Sequence, residues 1–198
     1  MNICVFGASS NDIEKKYIDA AYDLGAKMAK ENLGLVFGGG STGVMGASAR
    51  GEHNNGGYIL GVAPRFMKEY NILYTECTEF KHTETMAERK TFMENHADAF
   101  IIAPGGIGTF EEFFEVYTLK QLGRHNKAIV IFNAFGYYDD MVNMLETTVK
   151  ENFLMKESLE LIKVFNEIEP MLEYIKSYKG ETANTEKIRY NFSKRANN

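Results

Sequence analysis

Short runs of apolar, often β-branched residues alternate along the chain with longer segments that carry a helical pattern of apolar residues. The runs predict strands at Asn2–Phe6, Leu33–Phe37, Tyr58–Val62, Ala99–Ala103, Ala128–Phe132 and Leu161–Phe165. The segments between them predict helices at 12–31, 43–55, 84–97, 110–122, 137–151 and 167–177. Several strands are apolar throughout, which is typical of a parallel sheet covered on both faces. The alternation predicts an α/β fold, Rossmann-like and doubly wound, with a mainly parallel sheet and helices on both faces.

Residues 1–178 contain all of these elements, and we expect them to form a single domain. The segment 64–83 breaks the alternation and is predicted to be a loop that reaches over a site. Asn11 or Asp12 is expected to cap the first helix. The polar residues 179–198 are predicted to form a mobile tail.

Composition excludes several classes of protein. The net charge of −5 and the pI of about 5.5 argue against a nucleic-acid partner. The N-terminus lacks the basic region of a signal peptide, and no apolar run approaches the ~20 residues of a membrane span. Cys4 and Cys77 are too few for a disulfide framework, and the spacing of the histidines suits no zinc site. We therefore expect a cytoplasmic protein with no metal and no membrane partner.

Three glycine-rich segments each follow a predicted strand: GASS at 7–10, GGGSTGVMG at 38–46 and PGGIGT at 104–109. Ligands of open α/β sheets bind at the carboxyl ends of strands, and a helix beginning there presents free N–H groups to an anion. Three such turns favour a nucleotide phosphate as ligand, although glycines can simply make tight turns. NAD is disfavoured because G-x-G-x-x-G follows the second strand with no acid placed for the ribose, and no P-loop sequence is present.

Two charged residues lie on otherwise apolar helical faces. Glu112 shares a face with Val116 and Leu119, and Arg89 lies among Met86, Phe92 and Met93. A carboxylate or guanidinium on a buried face needs a partner or a ligand. Two structural alternatives stay open: a helix cap in which Thr109 is the N-cap and Glu112 completes the capping box, and an internal ion pair between Arg89 and Glu112.

The predicted helix 110–122 is apolar nearly all round, more than one sheet face requires. This pattern predicts a homodimer that buries the second face. The ten methionines and fourteen phenylalanines are interpreted as filling the core and such an interface.

Two of these motifs together resemble a known family. PGGIGTFEE at 104–112 fits P-G-G-x-G-T-x-x-E, and MAERK at 86–90 fits M-x-x-R-K, of the LONELY GUY family of cytokinin riboside 5′-monophosphate phosphoribohydrolases. GASS and GGGSTGVMG resemble the family's other glycine turns. The resemblance covers about residues 1–178. It implies a Rossmann-like dimer that hydrolyses the N-glycosidic bond of purine riboside 5′-monophosphates, releasing base and ribose 5-phosphate without a cofactor or metal.

The resemblance also implies roles for individual residues. The catalytic pair falls on Arg89 and Glu112. The residues implied or expected to bind substrate or its phosphate are Ser9, Gly39, Gly40, Lys90, Gly105, Gly106, Ile107, Gly108, Thr109 and Glu111. The preferred base, isoprenylated adenine or plain adenine, stays open.

Two non-catalytic interpretations compete with the hydrolase. Some proteins that resemble this family carry molybdenum cofactor and use the same glycine turns for a pterin phosphate. The other alternative is a module that senses ADP-ribose or a nucleotide without turnover. The presence of both Arg89 and Glu112 in signature context favours the enzyme, because a carrier needs the phosphate loop but not the pair. Lysine decarboxylation is rejected because no context for a pyridoxal-binding lysine is evident.

Overall fold

The computed structural model describes residues 1–180, in which seven parallel strands form one sheet. The strands are β1 (Asn2–Phe6), β2 (Gly34–Phe37), β3 (Ile59–Pro64), β4 (Glu79–Thr83), β5 (Ala99–Ile102), β6 (Ala128–Phe132) and β7 (Lys163–Phe165). Their spatial order is β4-β3-β2-β1-β5-β6-β7. The direction of winding therefore reverses between β1 and β5, which is where an open α/β sheet forms a ligand crevice.

Helices cover both faces of the sheet, as the sequence predicts. They are α1 (Lys15–Lys30), α2 (Gly43–Asn54), α3 (Met86–His96), α4 (Ile107–Gln121), α5 (Asp139–Lys150), α6 (Lys156–Leu159) and α7 (Ile168–Ser177). The alternation of side chains along β1 shows the two cores: Ile3 and Val5 pack with α1, α2 and α7, whereas Cys4 and Phe6 pack with α3, α4 and α5. The doubly wound, Rossmann-like prediction is confirmed.

The prediction of one loop over 64–83 is wrong at both ends of the segment, whereas residues 71–78 between them lie in no helix or strand. A 3-10 helix occupies Arg65–Tyr70, and β4 pairs in parallel with β3 from Leu60–Glu79 to Pro64–Thr83. β4 is an edge strand whose sequence, EFKHT, exposes alternate polar residues, so it lacks the apolar run that marks the buried strands. The short helix α6 was also not predicted.

Among the helices whose starts differ from the predicted ones, α1 and α4 bear on the predicted caps. α1 begins at Lys15 with Glu14 at its N-cap, so neither Asn11 nor Asp12 caps it; the side-chain oxygen of Asn11 instead accepts a hydrogen bond from the N–H of Gly43 at 2.8 Å. α4 begins at Ile107 with Gly106 at its N-cap. The capping-box interpretation of Thr109 and Glu112 is therefore wrong, because Thr109 already lies in the first turn of the helix.

Among residues 1–180, no helix has both the length and the apolar character needed to cross a membrane. The predicted tail lies outside the described residues, except for its first two positions. The expected domain boundary at residue 178 stays a prediction.

Candidate active site

The three glycine-rich turns meet at the carboxyl edge of the sheet, where the winding reverses. The N–H of Ala8, after β1, donates to the carbonyl of Pro104, after β5, at 3.0 Å. The N–H of Met45, in α2, donates to the carbonyl of Ala8 at 3.1 Å, and the Thr42 hydroxyl donates to the carbonyl of Ser9 at 2.5 Å. These hydrogen bonds thus hold the three turns together around a single cleft.

The cleft has a volume of about 360 Å³. It is lined by Gly7, Ala8, Ser9, Ser10, Met45, Met86, Arg89, Gly106, Ile107, Gly108, Thr109, Glu111 and Glu112. Two-thirds of the residues predicted for substrate binding or catalysis therefore share one cavity: Ser9, Arg89, Gly106, Ile107, Gly108, Thr109, Glu111 and Glu112. Within the described chain, Gly39, Gly40, Lys90 and Gly105 lie outside this lining.

Arg89 and Glu112 form a buried ion pair at the floor of the cleft. The Nη1 of Arg89 donates to Oε1 of Glu112 at 2.9 Å, and its Nε donates to the carbonyl of Val62 at 3.2 Å. Arg89 is 6% exposed and Glu112 9%. The internal ion pair considered from the sequence is present, and it borders the cavity, so the two groups are available to a ligand there.

Burial raises the pKa of Glu112 above the ordinary glutamate value of 4.5, and the guanidinium of Arg89 offsets part of that rise. Gly38, the residue after β2, leaves room for this guanidinium: a Cβ at Gly38 would lie 2.0 Å from Nη2 of Arg89. The glycine is needed here because of the close approach of a charged group.

The first turn of α4 forms the phosphate-sized end of the cleft. The first i→i−4 hydrogen bond of α4 runs from the N–H of Phe110 to the carbonyl of Gly106, so the N–H groups of Ile107, Gly108 and Thr109 precede the helical ladder. Apart from the adjacent residues and the backbone of α4 itself, a Cβ at Gly106 or Gly108 would meet no atom of residues 1–180 within 4 Å. The first turn of α4 thus borders the cleft with N–H groups and the positive end of the helix dipole, which suits an anion.

Lys90 is held away from the lining by carboxylates. Its ammonium pairs with Glu111 and, at 2.5 Å, with Glu115, while Glu111 itself borders the cleft. Lys90 thus links α3 to α4 beside the Arg89–Glu112 pair. Its implied contact with substrate stays a prediction.

Gly39 and Gly40 lie in the second turn, behind the lining. The carbonyl of Gly39 accepts from the N–H of Tyr74 at 2.8 Å, and Gly40 forms an isolated antiparallel bridge with Leu73. Gly39 has a φ of +75° and lies close to the ring of Phe80, so both turn geometry and space require glycine there. Direct contact of either glycine with substrate stays a prediction.

Met45 and Met86 line the cleft, whereas the sequence interpretation assigned the methionines to core and interface. Met86 is 44% exposed and lies one helical turn before Arg89. The MAERK motif gave a signal for this position, because Met86 lies three residues before Arg89 and shares its helical face. Periodicity alone does not distinguish an exposed methionine from one in the core.

The cleft of this Rossmann-like sheet combines a helix N-terminus with a buried carboxylate–guanidinium pair. This combination defines a class of proteins that bind small phosphorylated ligands and can act on them. The chain matches the family model described as "Possible lysine decarboxylase" over residues 45–175. It belongs to that family, in which the LONELY GUY phosphoribohydrolases are found.

Similar proteins include the cytokinin riboside 5′-monophosphate phosphoribohydrolase LOG3 of Arabidopsis thaliana, which is 38% identical over 81% of this chain and 74% of its own length. LOG1 of the same plant is 39% identical over 81% of this chain and 75% of its own length. The molybdenum cofactor carrier protein of Chlamydomonas reinhardtii has a similar structure, with a TM-score of 0.67 over 88% of this chain and 95% of its own, at 19% identity. At that identity the likeness shows the fold alone.

Proposed function

We propose that this protein hydrolyses the N-glycosidic bond of purine riboside 5′-monophosphates to free base and ribose 5-phosphate. The observation that carries the proposal is the buried Arg89–Glu112 pair, which borders the same cavity as the free N–H groups of α4. The phosphoribohydrolase names of relatives at 36–39% identity support it. The enzyme interpretation needs both a phosphate site and a buried carboxylate, and this cleft supplies both.

The 5′-phosphate binds at the N-terminus of α4. Thr109 and Glu112 are three residues apart in α4, so they lie on one face with their Cβ atoms about 5–6 Å apart. Phosphate and C1′ lie at opposite ends of ribose 5-phosphate. A phosphate held at the first turn of α4 therefore leaves C1′ near the carboxylate of Glu112, and binding energy at the phosphate can be used at the reacting carbon.

Glu112 acts on the ribosyl carbon. As the bond between C1′ and the purine nitrogen breaks, its electron pair leaves with the base and positive charge develops on the ribose, as in glycoside hydrolysis. The carboxylate of Glu112 stabilises that charge and orients the water whose oxygen bonds to C1′. The water loses one proton, and the departing base gains one. Arg89 holds Glu112 in place through the 2.9 Å hydrogen bond and stabilises negative charge on the leaving purine.

The proposal includes a homodimer, and the exposed apolar surface of α4 supports it. An apolar groove of about 560 Å³ lies between α4 and α5, lined by Ile107, Phe110, Glu111, Phe114, Asp140, Met141 and Met144. Ile107 is 84% exposed and Met144 47%. Burying this face in a second copy removes apolar surface from water. Sedimentation should give a dimer for the wild-type chain and a smaller species for Phe114→Asp.

We also propose that the protein is located in the cytoplasm. Cys4 and Cys77 are free thiols, with Cys4 buried in β1, and free cysteines without disulfides are typical of reducing compartments. Immunofluorescence or fractionation of cells that express the chain tests the compartment directly.

The proposal is tested by incubating purified protein with AMP and with isopentenyladenosine 5′-monophosphate. Chromatography should detect free base, and an enzymatic assay should detect ribose 5-phosphate in equal amount. The ratio of the two rates identifies the preferred base. Binding of nucleotide or pterin without release of base from either compound would contradict the hydrolase and favour a carrier.

A further inference from the structure

Two consecutive tyrosines, Tyr137 and Tyr138, donate hydrogen bonds to the chain around the glycine turn after β5. They lie in the segment that joins β6 to α5. The hydroxyl of Tyr138 donates to the carbonyl of Ala103 at 2.7 Å, and the hydroxyl of Tyr137 donates to the carbonyl of Gly105, also at 2.7 Å. Tyr138 is fully buried, whereas Tyr137 is 40% exposed. Neither tyrosine lines the described cleft, so any effect on a ligand there must pass through the backbone that the tyrosine holds.

The segment that presents these tyrosines is itself fixed. The side-chain oxygen of Asn133 accepts from the N–H of Tyr138 at 2.6 Å, and its amide donates to Asp139 at 2.8 Å. Phe135 adopts a φ of +58°, a left-handed conformation that is costly for a residue with a Cβ, and Gly136 follows at +73°. A strained conformation of this kind persists only where the surrounding contacts enforce it.

The ring of Tyr137 is also held in place. The ring of Tyr17, from α1, packs edge-on against Tyr137 with a centroid distance of 5.5 Å and against Phe135 at 5.7 Å. Asn133 therefore fixes the backbone of the segment, and Tyr17 fixes the ring. The hydroxyl of Tyr137 is presented to Gly105 with little freedom to move.

The direction of the Gly105 carbonyl determines where the next N–H points. In a planar trans peptide, the carbonyl of one residue and the N–H of the following residue point in opposite directions. Since the carbonyl of Gly105 faces Tyr137, the N–H of Gly106 faces away from Tyr137, and Gly106 borders the cleft. A rotated peptide would instead direct a carbonyl oxygen towards the bound anion. Two flanking glycines make that rotation easy unless something prevents it.

We infer that Tyr137 is a positioning residue for the phosphate: its hydroxyl fixes the Gly105–Gly106 peptide with the N–H of Gly106 directed into the cleft. The inference rests on the proposed function for its ligand, a ribose 5-phosphate group. Tyr137 touches neither substrate nor the Arg89–Glu112 pair. It increases the affinity for the phosphate by excluding the rotated peptide.

The adjacent tyrosine provides a matched comparison. Tyr138 holds the carbonyl of Ala103, and the next residue is Pro104, whose nitrogen carries no hydrogen. That peptide has no N–H to direct at an anion. Loss of the Tyr138 hydroxyl should therefore affect stability, whereas loss of the Tyr137 hydroxyl should affect phosphate binding.

The experiment compares Tyr137→Phe, Tyr138→Phe and Tyr17→Phe with the wild-type chain. Calorimetry measures the Kd of each for ribose 5-phosphate and for adenosine, which has no phosphate. In Tyr137→Phe we expect the Kd for ribose 5-phosphate to rise roughly three- to tenfold, the effect of one hydrogen bond, with the Kd for adenosine unchanged. Tyr17→Phe, which removes a hydroxyl from the same aromatic cluster, should leave both constants unchanged. Tyr138→Phe should lower the melting temperature and leave both constants unchanged.

Two results would overturn the role of Tyr137: an unchanged Kd for ribose 5-phosphate, or an equal loss of affinity for adenosine. Because these titrations need no turnover, they stand apart from the activity assay. Wild-type protein that bound ribose 5-phosphate but released no base would refute the proposed hydrolysis and leave the test of Tyr137 intact. Wild-type protein that released base but failed to bind ribose 5-phosphate would overturn the role of Tyr137 and leave the proposed hydrolysis standing.

Discussion

The guanidinium of Arg89 on α3 and the carboxylate of Glu112 on α4 meet at 2.9 Å, and each residue is less than a tenth exposed. Replacing one partner leaves the other charge buried and unpaired, which costs more than the pair itself contributes. We expect Arg89→Met to lower the free energy of unfolding by about 3 kcal/mol. The double variant Arg89→Met/Glu112→Gln should recover part of that loss. Urea unfolding of the wild-type chain, Arg89→Met, Glu112→Gln and the double variant measures the coupling; strictly additive losses would contradict it.

The pH dependence of activity should report the environment of Glu112. Burial raises the pKa of Glu112 above 4.5, so its carboxylate forms at higher pH than that of an exposed glutamate. If the ionised form is required, kcat/KM falls as the pH is lowered through this raised pKa. We expect the acid limb of a kcat/KM profile to lie above pH 4.5. A limb that stayed at the pH of an ordinary glutamate would argue against a required Glu112 carboxylate.

Glu52, at the far end of α2 from the cleft, should make stability depend on pH. Its side chain is fully buried, and neither carboxylate oxygen has a hydrogen-bond partner within the described chain. Burial raises the pKa of Glu52 to about 8. Between pH 4.5 and 8 the unfolded chain therefore releases from Glu52 a proton that the folded chain retains. The contribution of Glu52 to the free energy of unfolding falls as the pH rises through this window and is constant beyond either end.

The contribution of Glu52 is isolated by substitution. We expect the free energy of unfolding of the wild-type chain to fall by a few kcal/mol between pH 5 and pH 8 because of Glu52, and Glu52→Gln to abolish that fall. Glu146→Gln, at an exposed glutamate of α5, is the matched control and should leave the profile unchanged. Urea unfolding at each pH provides the measurement. If the wild-type and Glu52→Gln curves ran parallel across this range, Glu52 would already be ionised in the folded protein.

Gly38 should be essential for activity without touching substrate. In Gly38→Ala the new Cβ would lie 2.0 Å from Nη2 of Arg89, so the guanidinium must shift from its present position beside Glu112. A displacement of about 1 Å in a catalytic group can cost about a hundredfold in rate. We expect a loss of that order in kcat with little change in the Kd for ribose 5-phosphate, because the turn at α4 is untouched. Retention of full activity would show that the position of Arg89 matters less than this account requires.

The sequence predicted the buried parts of the sheet well and its edge poorly. Strands such as β5 and β6 are covered on both faces, so their apolar runs identify them directly. β4 pairs only with β3 and exposes alternate residues, and its alternating pattern is too short to stand out. An edge strand depends on its neighbour for order, and a single sequence does not reveal that neighbour.

The site could be predicted to a similar extent. The glycine turns could be identified because glycines cluster directly after predicted strands. Arg89 and Glu112 could be identified because each is a charged residue on an otherwise apolar helical face. The start of α4 was predicted too late, because Thr109 followed three residues later by Glu112 fits a capping box. In the structure Gly106 is the N-cap. The contact between Tyr137 and Gly105 spans 32 residues and leaves no local pattern in the chain.

The most direct test of the central claim is base release from AMP by Glu112→Gln. This substitution keeps the size of the side chain and removes its charge. Glu84→Gln is the matched control, since Glu84 pairs with Arg65 at 2.6 Å on the exposed surface. We expect Glu112→Gln to remain folded and to lose at least about a hundredfold in kcat, whereas Glu84→Gln keeps wild-type activity. Activity near the wild-type value in Glu112→Gln would contradict the account, because the carboxylate would then have only a structural role.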